Sequence, residues 1–364
     1  MSEGTPSPAP QIVSLDRLDR FCRDVLAAVG ADAPTCDAVT RAMMHGTRLG
    51  VDSHGVRLLA HYVSVLEGGR VNKTPRLSFS SKFGAIAALD LDHGHGALGA
   101  YVGMGRAIEL AETLGIGAVA IRNSSHFGAA GAFAYEAAQR GFIGLSLCHS
   151  DSFMRLHDGA QRFHGTNPIA CAVPVEGSRP WLLDMATSAI TYNRVQLYKS
   201  LKHPVPEGMA SDQEGRDTFD AEDVDMLAPL GNEVGFKGAG LAGLVSILCA
   251  VLPGMALDFD ILPMNGEDKS TPRRMGAFVM AIRPDAIVER HEFSGLMTRY
   301  VETLRASPAR PGARVLAPGD REWEVADVRD REGAPIDPAT EAAFREFSGT
   351  YGVALPFEEN SRTL

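Results

Sequence analysis

Apolar positions along the chain follow two regimes, a helical one at the start and a mostly strand-like one in the middle. Leu15, Leu18, Phe21, Val25 and Leu26 recur at helical spacing behind Ser14, a residue suited to capping, and predict a helix over 14–30. The same spacing over 34–49 and 55–68 makes the opening stretch a helical unit. From Ala85 the period changes. Residues 85–92 (AIAALDLD), 117–122 (GAVAIR), 142–148 (FIGLSLC) and 168–175 (PIACAVPV) read as strands, with helices at 99–114 and 129–141 between them. A strand returns at 273–283, and two weaker helices, 286–306 and 338–349, flank a Pro/Gly-rich crossing at 308–322. This succession predicts an α/β domain.

Two stretches depart from the pattern. Residues 199–233 are polar, acidic and rich in turn formers, which predicts a long excursion beside a site. Residues 239–257 (AGLAGLVSILCAVLPGMAL) approach the length of a bilayer span, but contain Pro253 and are followed by Asp258 and Asp260. They predict a buried helix ending near Pro253 and no membrane crossing. The first ten residues, MSEGTPSPAP, carry neither the basic nor the apolar block of a secretion signal and read as a disordered lead-in.

A net charge of -10 leaves no basic surplus to displace phosphate counterions, so nucleic acid is not an expected partner. A small anionic substrate needs only a local cation. The five cysteines form no CxxC, and read as reduced thiols of a cytoplasmic protein.

The candidate chemistry begins where the strand 117–122 runs out into Asn123-Ser124-Ser125-His126-Phe127-Gly128, which sets an imidazole at a strand end. A second histidine lies in Ser53-His54-Gly55-Val56-Arg57. If a helix begins there, Arg57 and Tyr62 share its face, so that Arg57 could grip a carboxylate while Ser53 and Tyr62 donate hydrogen bonds. Gly94-His95-Gly96-Ala97-Leu98-Gly99 fits the dinucleotide pattern GxGxxG. It lacks the acidic residue expected about twenty positions on, however, because the next strand ends at Arg122-Asn123. A tight turn into a helix is the favoured reading. Asp184-Met185-Ala186-Thr187 ends another strand in groups able to hold a ribose or a phosphate, Lys237 stands among glycines where the apolar helix starts, and Asn167 is restrained by Pro168. No metal site is expected, since the histidine pairs lack acidic or cysteine partners at ligand spacing, and no GxSxG is present.

Taken in order, SHGVRLLxxY, RNSSHFGxxG, GTNPIA, LLDMATS and GFKGAGL resemble the malate/L-lactate/ureidoglycolate dehydrogenase family, a non-Rossmann NAD(P)H-dependent group, over about residues 11–325. The resemblance implies a mixed-sheet cofactor-binding α/β domain at about 83–285. It also implies a helical domain built from both chain ends, 11–82 and 286–364, and a homodimer. It implies hydride transfer between the nicotinamide of NAD or NADP and C2 of a small 2-hydroxy or 2-oxo acid. The alternatives are a cyclic imino acid such as Δ1-piperideine-2-carboxylate, or an inactive metabolite-binding homologue. His126 and His54 fall on histidines with acid–base roles, Ser53, Tyr62 and Ser150 on substrate positions, and Asp184 to Ala186 and Lys237 on the cofactor region. Three departures stand out. The arginine follows the SHG histidine by three residues where several members have four, Glu233 sits where glycines are usual, and the 149–163 stretch differs from the common version.

Overall fold

The computed structural model describes residues 11–357, so the lead-in Met1–Pro10 lies outside the described residues. Strand β1 (Gln11–Val13) enters α1 (Leu15–Ala28) and α2 (Ala33–Arg48), and two single 3₁₀ turns at 52–54 and 56–58 deliver the chain to α3 (Leu59–Glu67). Ser14 precedes α1 without a capping side-chain bond, whereas Asp32 accepts the Thr35 N–H and caps α2. The strands β2 (Ser78–Phe83) and β3 (Ile86–Asp90) form a hairpin, followed by α4 (Gly96–Leu114), β4 (Ile116–Ser124), α5 (Gly131–Gln139) and β5 (Ile143–Cys148). Every β2 side chain is exposed, which explains why no alternation marks it in the sequence.

Two short strands, β6 (Met154–Arg155) and β7 (Arg162–His164), then lead to β8 (Ile169–Val173) and β9 (Trp181–Met185). The acidic excursion contains the end of α6 (Tyr192–Leu201), and then β10 (Ala210–Ser211) and β11 (Met226–Leu227), which pair with β6 and β7 in a small sheet. Buried Met154, Val195, Val205 and Leu227 belong to a separate apolar cluster beneath this excursion. The remaining elements are α7 (Phe236–Ser246), β12 (Met275–Ile282), α8 (Arg290–Arg305), α9 (Asp320–Glu332), β13 (Ala334–Ile336) and α10 (Pro338–Tyr351).

The fold is mixed α/β. Seven strands run in the order β2-β3-β4-β12-β5-β8-β9, with β3 and β4 parallel and every other neighbouring pair antiparallel. The parallel pair needs a crossover, which α4 supplies. This helix lies close on the sheet because Gly99 has no side chain: a Cβ there would stand 2.7 Å from Leu91. The topology brings the C-terminal ends of β3, β4, β5 and β9 to one edge, together with the N-terminal ends of β8 and β12. Backbone leaving a sheet edge is free to vary without disturbing the ladder, so chemistry gathers there.

The apolar stretch 239–257 departs from expectation. Helix α7 ends at Ser246, the chain continues as a single π-helical stretch over Ile247–Val251, and Pro253 follows. One face is buried, with Val245 and Cys249 packed on the sheet and Ala242 in the cluster beneath the excursion, and a Cβ on Gly276 of β12 would stand 2.0 Å from the Cys249 carbonyl oxygen. The other face, Leu241, Leu244, Ile247, Val251 and Leu252, is exposed. The helix is therefore half-buried, because hydrophobicity all round reports an apolar environment without saying whether this chain provides all of it. No described helix is long and apolar enough to cross a membrane.

Candidate active site

The glycine turn does mechanical work at the shared edge. Gly96 N–H donates to Ser125 Oγ at 3.0 Å, and Ser125 Oγ reaches the Gly94 carbonyl at 3.3 Å, so the turn after β3 is sewn to the loop after β4. A Cβ on Gly96 would lie 2.2 Å from the Ser125 carbonyl oxygen. The glycine is needed for contact between two loops. Asn123, at a positive φ of 50°, closes the strand end by donating to the Asp90 carboxylate at 2.9 and 3.0 Å.

This seam fixes His126. Its Nδ1 lies 3.0 Å from Tyr62 Oη, and its ring stacks on His54 with centroids 5.7 Å apart. Ser53 Oγ lies 2.9 Å from His54 Nδ1, while Asp52 in the same turn pairs with Arg329 of α9 at 2.5 and 2.9 Å. His54, Ser53, Tyr62 and His126 are thus brought together. His61 and His95 complete a group of four imidazoles around the phenol, with the His95 ring edge-on to Tyr62 at 4.2 Å. His95 Nδ1 accepts the Ala97 N–H as the cap of α4, and its Nε2 is buried without a partner beside the cleft.

Burial is the first cause of every shift in this group. It holds His126 well below its ordinary value, with His54, His61 and Arg273 adding to the effect, and it holds His54 low as well. His61 falls to about 4 through burial and then the charges of Lys269, Arg273 and Arg70. Burial also keeps the Tyr62 phenol protonated far above its usual range. A protonated phenol both donates and accepts, so it can partner either tautomer of His126.

Arg57 does not join the cleft. Gly55 is extended at φ -90° and ψ -152°, which separates the turn carrying His54 from the one carrying Arg57. Arg57 is exposed, Leu58 is buried, and α3 begins only at Leu59, so the shared helical face that the spacing suggested does not exist. The cations of the cleft are Arg70 and Arg273, which line it with His61, Tyr62, His95, Ser125 and His126. Neither is flagged by any local motif. Arg273 stands two residues before β12, donates through Nε to the Leu262 carbonyl at 2.8 Å and pairs with Asp151. Asp151 follows Ser150, whose backbone N–H donates to Asn167 Oδ1 at 3.1 Å.

Asn167 is committed elsewhere. Fully buried, it donates through Nδ2 to the Ala242 carbonyl, Ser246 Oγ and the Asp258 carboxylate at 3.1, 3.0 and 2.8 Å. Its amide holds internal structure and has no free donor for a cofactor. Thr187 is similarly engaged, with both N–H and hydroxyl donating to the Thr166 carbonyl at 2.9 and 3.1 Å. The exposed Asp184 accepts the Gly131 N–H at 2.8 Å, which ties the end of β9 to the start of α5. Although the residue reaches solvent, the atoms packed around its carboxyl desolvate it and push it up to about 6, the Gly131 bond opposing the shift and the charge of Glu322 adding to it. Met185 and Ala186 are half-buried beside it. Lys237 is exposed in the first turn of α7, close to β9's end because Leu230 bonds the Thr187 carbonyl and packs where a Gly238 Cβ would go. Among the described residues no group of three His, Cys, Asp or Glu could hold a metal ion.

Against known proteins, the malate/L-lactate dehydrogenase family model matches residues 13–345. The chain is 34% identical to a malate dehydrogenase of Pyrococcus abyssi over 88% of its own length and 90% of that protein. It is 28% identical to the NAD(+) ureidoglycolate dehydrogenase of Escherichia coli K12, over 88% and 90%. The crystal structure of malate dehydrogenase from Entamoeba histolytica superposes with a TM-score of 0.90 at 29% identity, covering 96% of this chain and 100% of that one. One relative named as an NADP(+) sulfolactate dehydrogenase, and one named as a Δ1-pyrroline-2-carboxylate reductase, also match. The shared fold, the length of the match and the histidine-lined sheet edge lead to one assignment: this chain belongs to the malate/L-lactate dehydrogenase family, and it is an oxidoreductase acting on CH–OH or C=N groups.

Proposed function

We propose that the chain interconverts a small 2-hydroxy acid and its 2-oxo acid with NAD or NADP, and that His126 exchanges the proton. The observation that carries this reading is the pair His126–Tyr62. With Nδ1 engaged by the phenol at 3.0 Å, Nε2 is left for a substrate heteroatom. In oxidation, a neutral His126 with bare Nε2 takes the hydroxyl proton while its Nδ1–H donates to Tyr62 Oη. In reduction, the imidazolium returns that proton. Such transfer is worth about 10²–10⁴ in rate. His54, stacked on the ring and held by Ser53, orients it. Arg273 is among the charges that depress His126, so a substrate carboxylate pairing with Arg273 relieves that depression. Binding of the anion thereby prepares the acid. Ser150, next to Asp151, is assigned to the substrate side.

A nicotinamide, when bound, gives or takes the hydride. The residues present fit a dinucleotide. Asp184 offers an acceptor for ribose hydroxyls, and Lys237 has no ion-pair partner among the described residues and suits a diphosphate near a helix start. Half-buried Met185 and Ala186 follow Asp184 along the chain, Thr187 pins that strand end to the Thr166 carbonyl, and Asn167 next to Thr166 ties the turn to α7.

The test is absorbance at the nicotinamide band with NADH and NADPH in parallel, against pyruvate, oxaloacetate, 2-oxo sugar acids and Δ1-piperideine-2-carboxylate. Oxidation with a 2-oxo acid supports the reading. Oxidation with the cyclic imine alone replaces its substrate half, and cofactor binding without turnover overturns it in favour of a binding protein. His126→Ala should lower kcat by about 10²–10⁴ with cofactor affinity nearly unchanged; undiminished turnover removes His126 from the chemistry.

We also propose a homodimer. The chain carries no charge between Lys237 and Asp258, and beyond Lys237 the large side chains exposed on α7 and its π extension, Leu241, Leu244, Ile247, Val251 and Leu252, are all apolar. Such a face suits a second copy of itself, as two-fold packing requires self-complementarity.

A further inference from the structure

His95 is 1% exposed at the cleft wall, outside the bonds that the proposed proton exchange uses. Its Nδ1 accepts the Ala97 N–H at 3.2 Å to cap α4, so its own proton sits on Nε2, which is buried with no oxygen or nitrogen to meet it. A capping position is ordinarily filled by asparagine, aspartate or serine, which accept the same N–H through a short side chain. A buried donor left unpaired is costly. Capping alone therefore does not account for an imidazole here.

The backbone that carries the ring is also held against its preference. Asp92 and His93 adopt positive φ in succession, 52° and 59°, a conformation uncommon outside glycine. Neighbouring residues of segment 72–76 fix it. Asn72 Nδ2 donates to the Asp92 carbonyl at 3.2 Å and carboxylate at 3.0 Å, the Asn72 N–H to the His93 carbonyl at 2.9 Å, and the Arg76 N–H to the Asp92 carboxylate at 3.1 Å. What this turn delivers is an imidazole at right angles to Tyr62, 89° between the ring planes and 4.2 Å between centroids.

Tyr62 comes from α3, whereas His95 and His126 lie on the two loops of the sheet edge that the Gly96–Ser125 bond joins. The phenol thus enters between two imidazoles on one seam, bonded at its hydroxyl to His126 Nδ1 at 3.0 Å and met on its ring by His95. Among the described residues Oη has no other hydrogen bond to hold it. We propose that His95 is a positioning residue, whose ring fixes the tilt of the Tyr62 phenol so that Oη stays on His126 Nδ1 and Nε2 of His126 stays aimed at the substrate. An imidazole suits both tasks, because one nitrogen caps the helix while the body of the ring reaches the phenol. The inference rests on the proton-exchange role proposed for His126, and His95 acts only through Tyr62.

His95→Asn keeps an oxygen for the Ala97 N–H and removes the ring. Its kcat should fall about 10- to 100-fold, as small misplacement of a catalytic group does, with KM for the acid and Kd for NADH nearly unchanged. If His95 works through Tyr62, adding His95→Asn to Tyr62→Phe should cost no more than about twofold further, whereas independent losses multiply. Multiplied losses, or a wild-type kcat in His95→Asn, overturn the brace. A second readout needs no substrate. In protein carrying isotope-labelled histidine, the His126 Nδ1 proton shared with Tyr62 should give a downfield magnetic resonance that Tyr62→Phe removes and His95→Asn removes or broadens. The same resonance, unmoved in His95→Asn, overturns the brace. Should His95→Asn fail to fold, His95→Gln, which leaves less empty space, carries both comparisons. If no acid turns over but the resonance depends on His95, the proposed reaction falls and the brace stands. If turnover is sound and the resonance ignores His95, the brace falls alone.

Discussion

Single imidazoles set how this cleft responds to acid. His54, His61, His95 and His126 are all depressed by burial, His61 to about 4 and His95 to about 3. Unfolded, each would titrate near 6.5. Below that pH the unfolded chain binds protons that the folded chain refuses, so stability is unaffected above about pH 7 and falls as pH drops from 6.5 toward 4. The melting temperature should follow the same course. His61→Gln should flatten the fall, since this ring is held low by burial and by three neighbouring cations; an acid limb of undiminished slope would show that His61 does not contribute. What could be read of these residues in the sequence was uneven. His54, Tyr62 and His126 stand out because each ends a strand or sits in a compact motif. Arg57 was misplaced by one glycine, which turns the backbone between it and His54. Arg70 and Arg273 have no local signature at all, because tertiary structure alone brings them to the same wall.

At the scale of elements, the turn bearing His54 is held from the far end of the chain. Arg329 of α9 pairs with Asp52 and also donates to the Thr47 carbonyl. Arg329→Met should remove bonds worth about 1.5–3 kcal/mol each before solvent screening of the half-exposed Asp52. It should lower the melting temperature and cut kcat several-fold while leaving cofactor affinity in place. A variant with lowered stability but wild-type kcat would mean that the anchor supports the fold without orienting His54. Most helices and the large-sheet strands other than β2 were legible because their apolar runs are regular, whereas β2 is exposed throughout and the two- and three-residue strands of the small sheet are too short to carry a pattern. Helix α9 was not, since DREWEVADVRDRE buries only Trp323, Ala326 and Arg329 and reads as polar throughout. The same is true of β1 and β13, three residues each, whose pairing no local pattern can announce.

For the whole molecule, the proposed dimer puts the open face of α7 at the interface. Leu244→Asp or Ile247→Asp should shift sedimentation from dimer to monomer without unfolding the chain, as both side chains are about half exposed in the single copy. A wild-type monomer, or an aspartate variant that still dimerises, would place any interface elsewhere. The open face was hidden from sequence reading because both sides of this helix are apolar.

The pairing of β1 with β13, Val13 against Ala334, together with the reach of Arg329 to Asp52, bears on biosynthesis. A ribosome releases the histidine-bearing turn early and its anchor late. The nascent chain can collapse around its central sheet, but it cannot set His54 in its working position until the closing helices have emerged. On the role proposed for His54, an arrested chain lacking residues beyond 320 should keep its central sheet and turn over more slowly than the full chain.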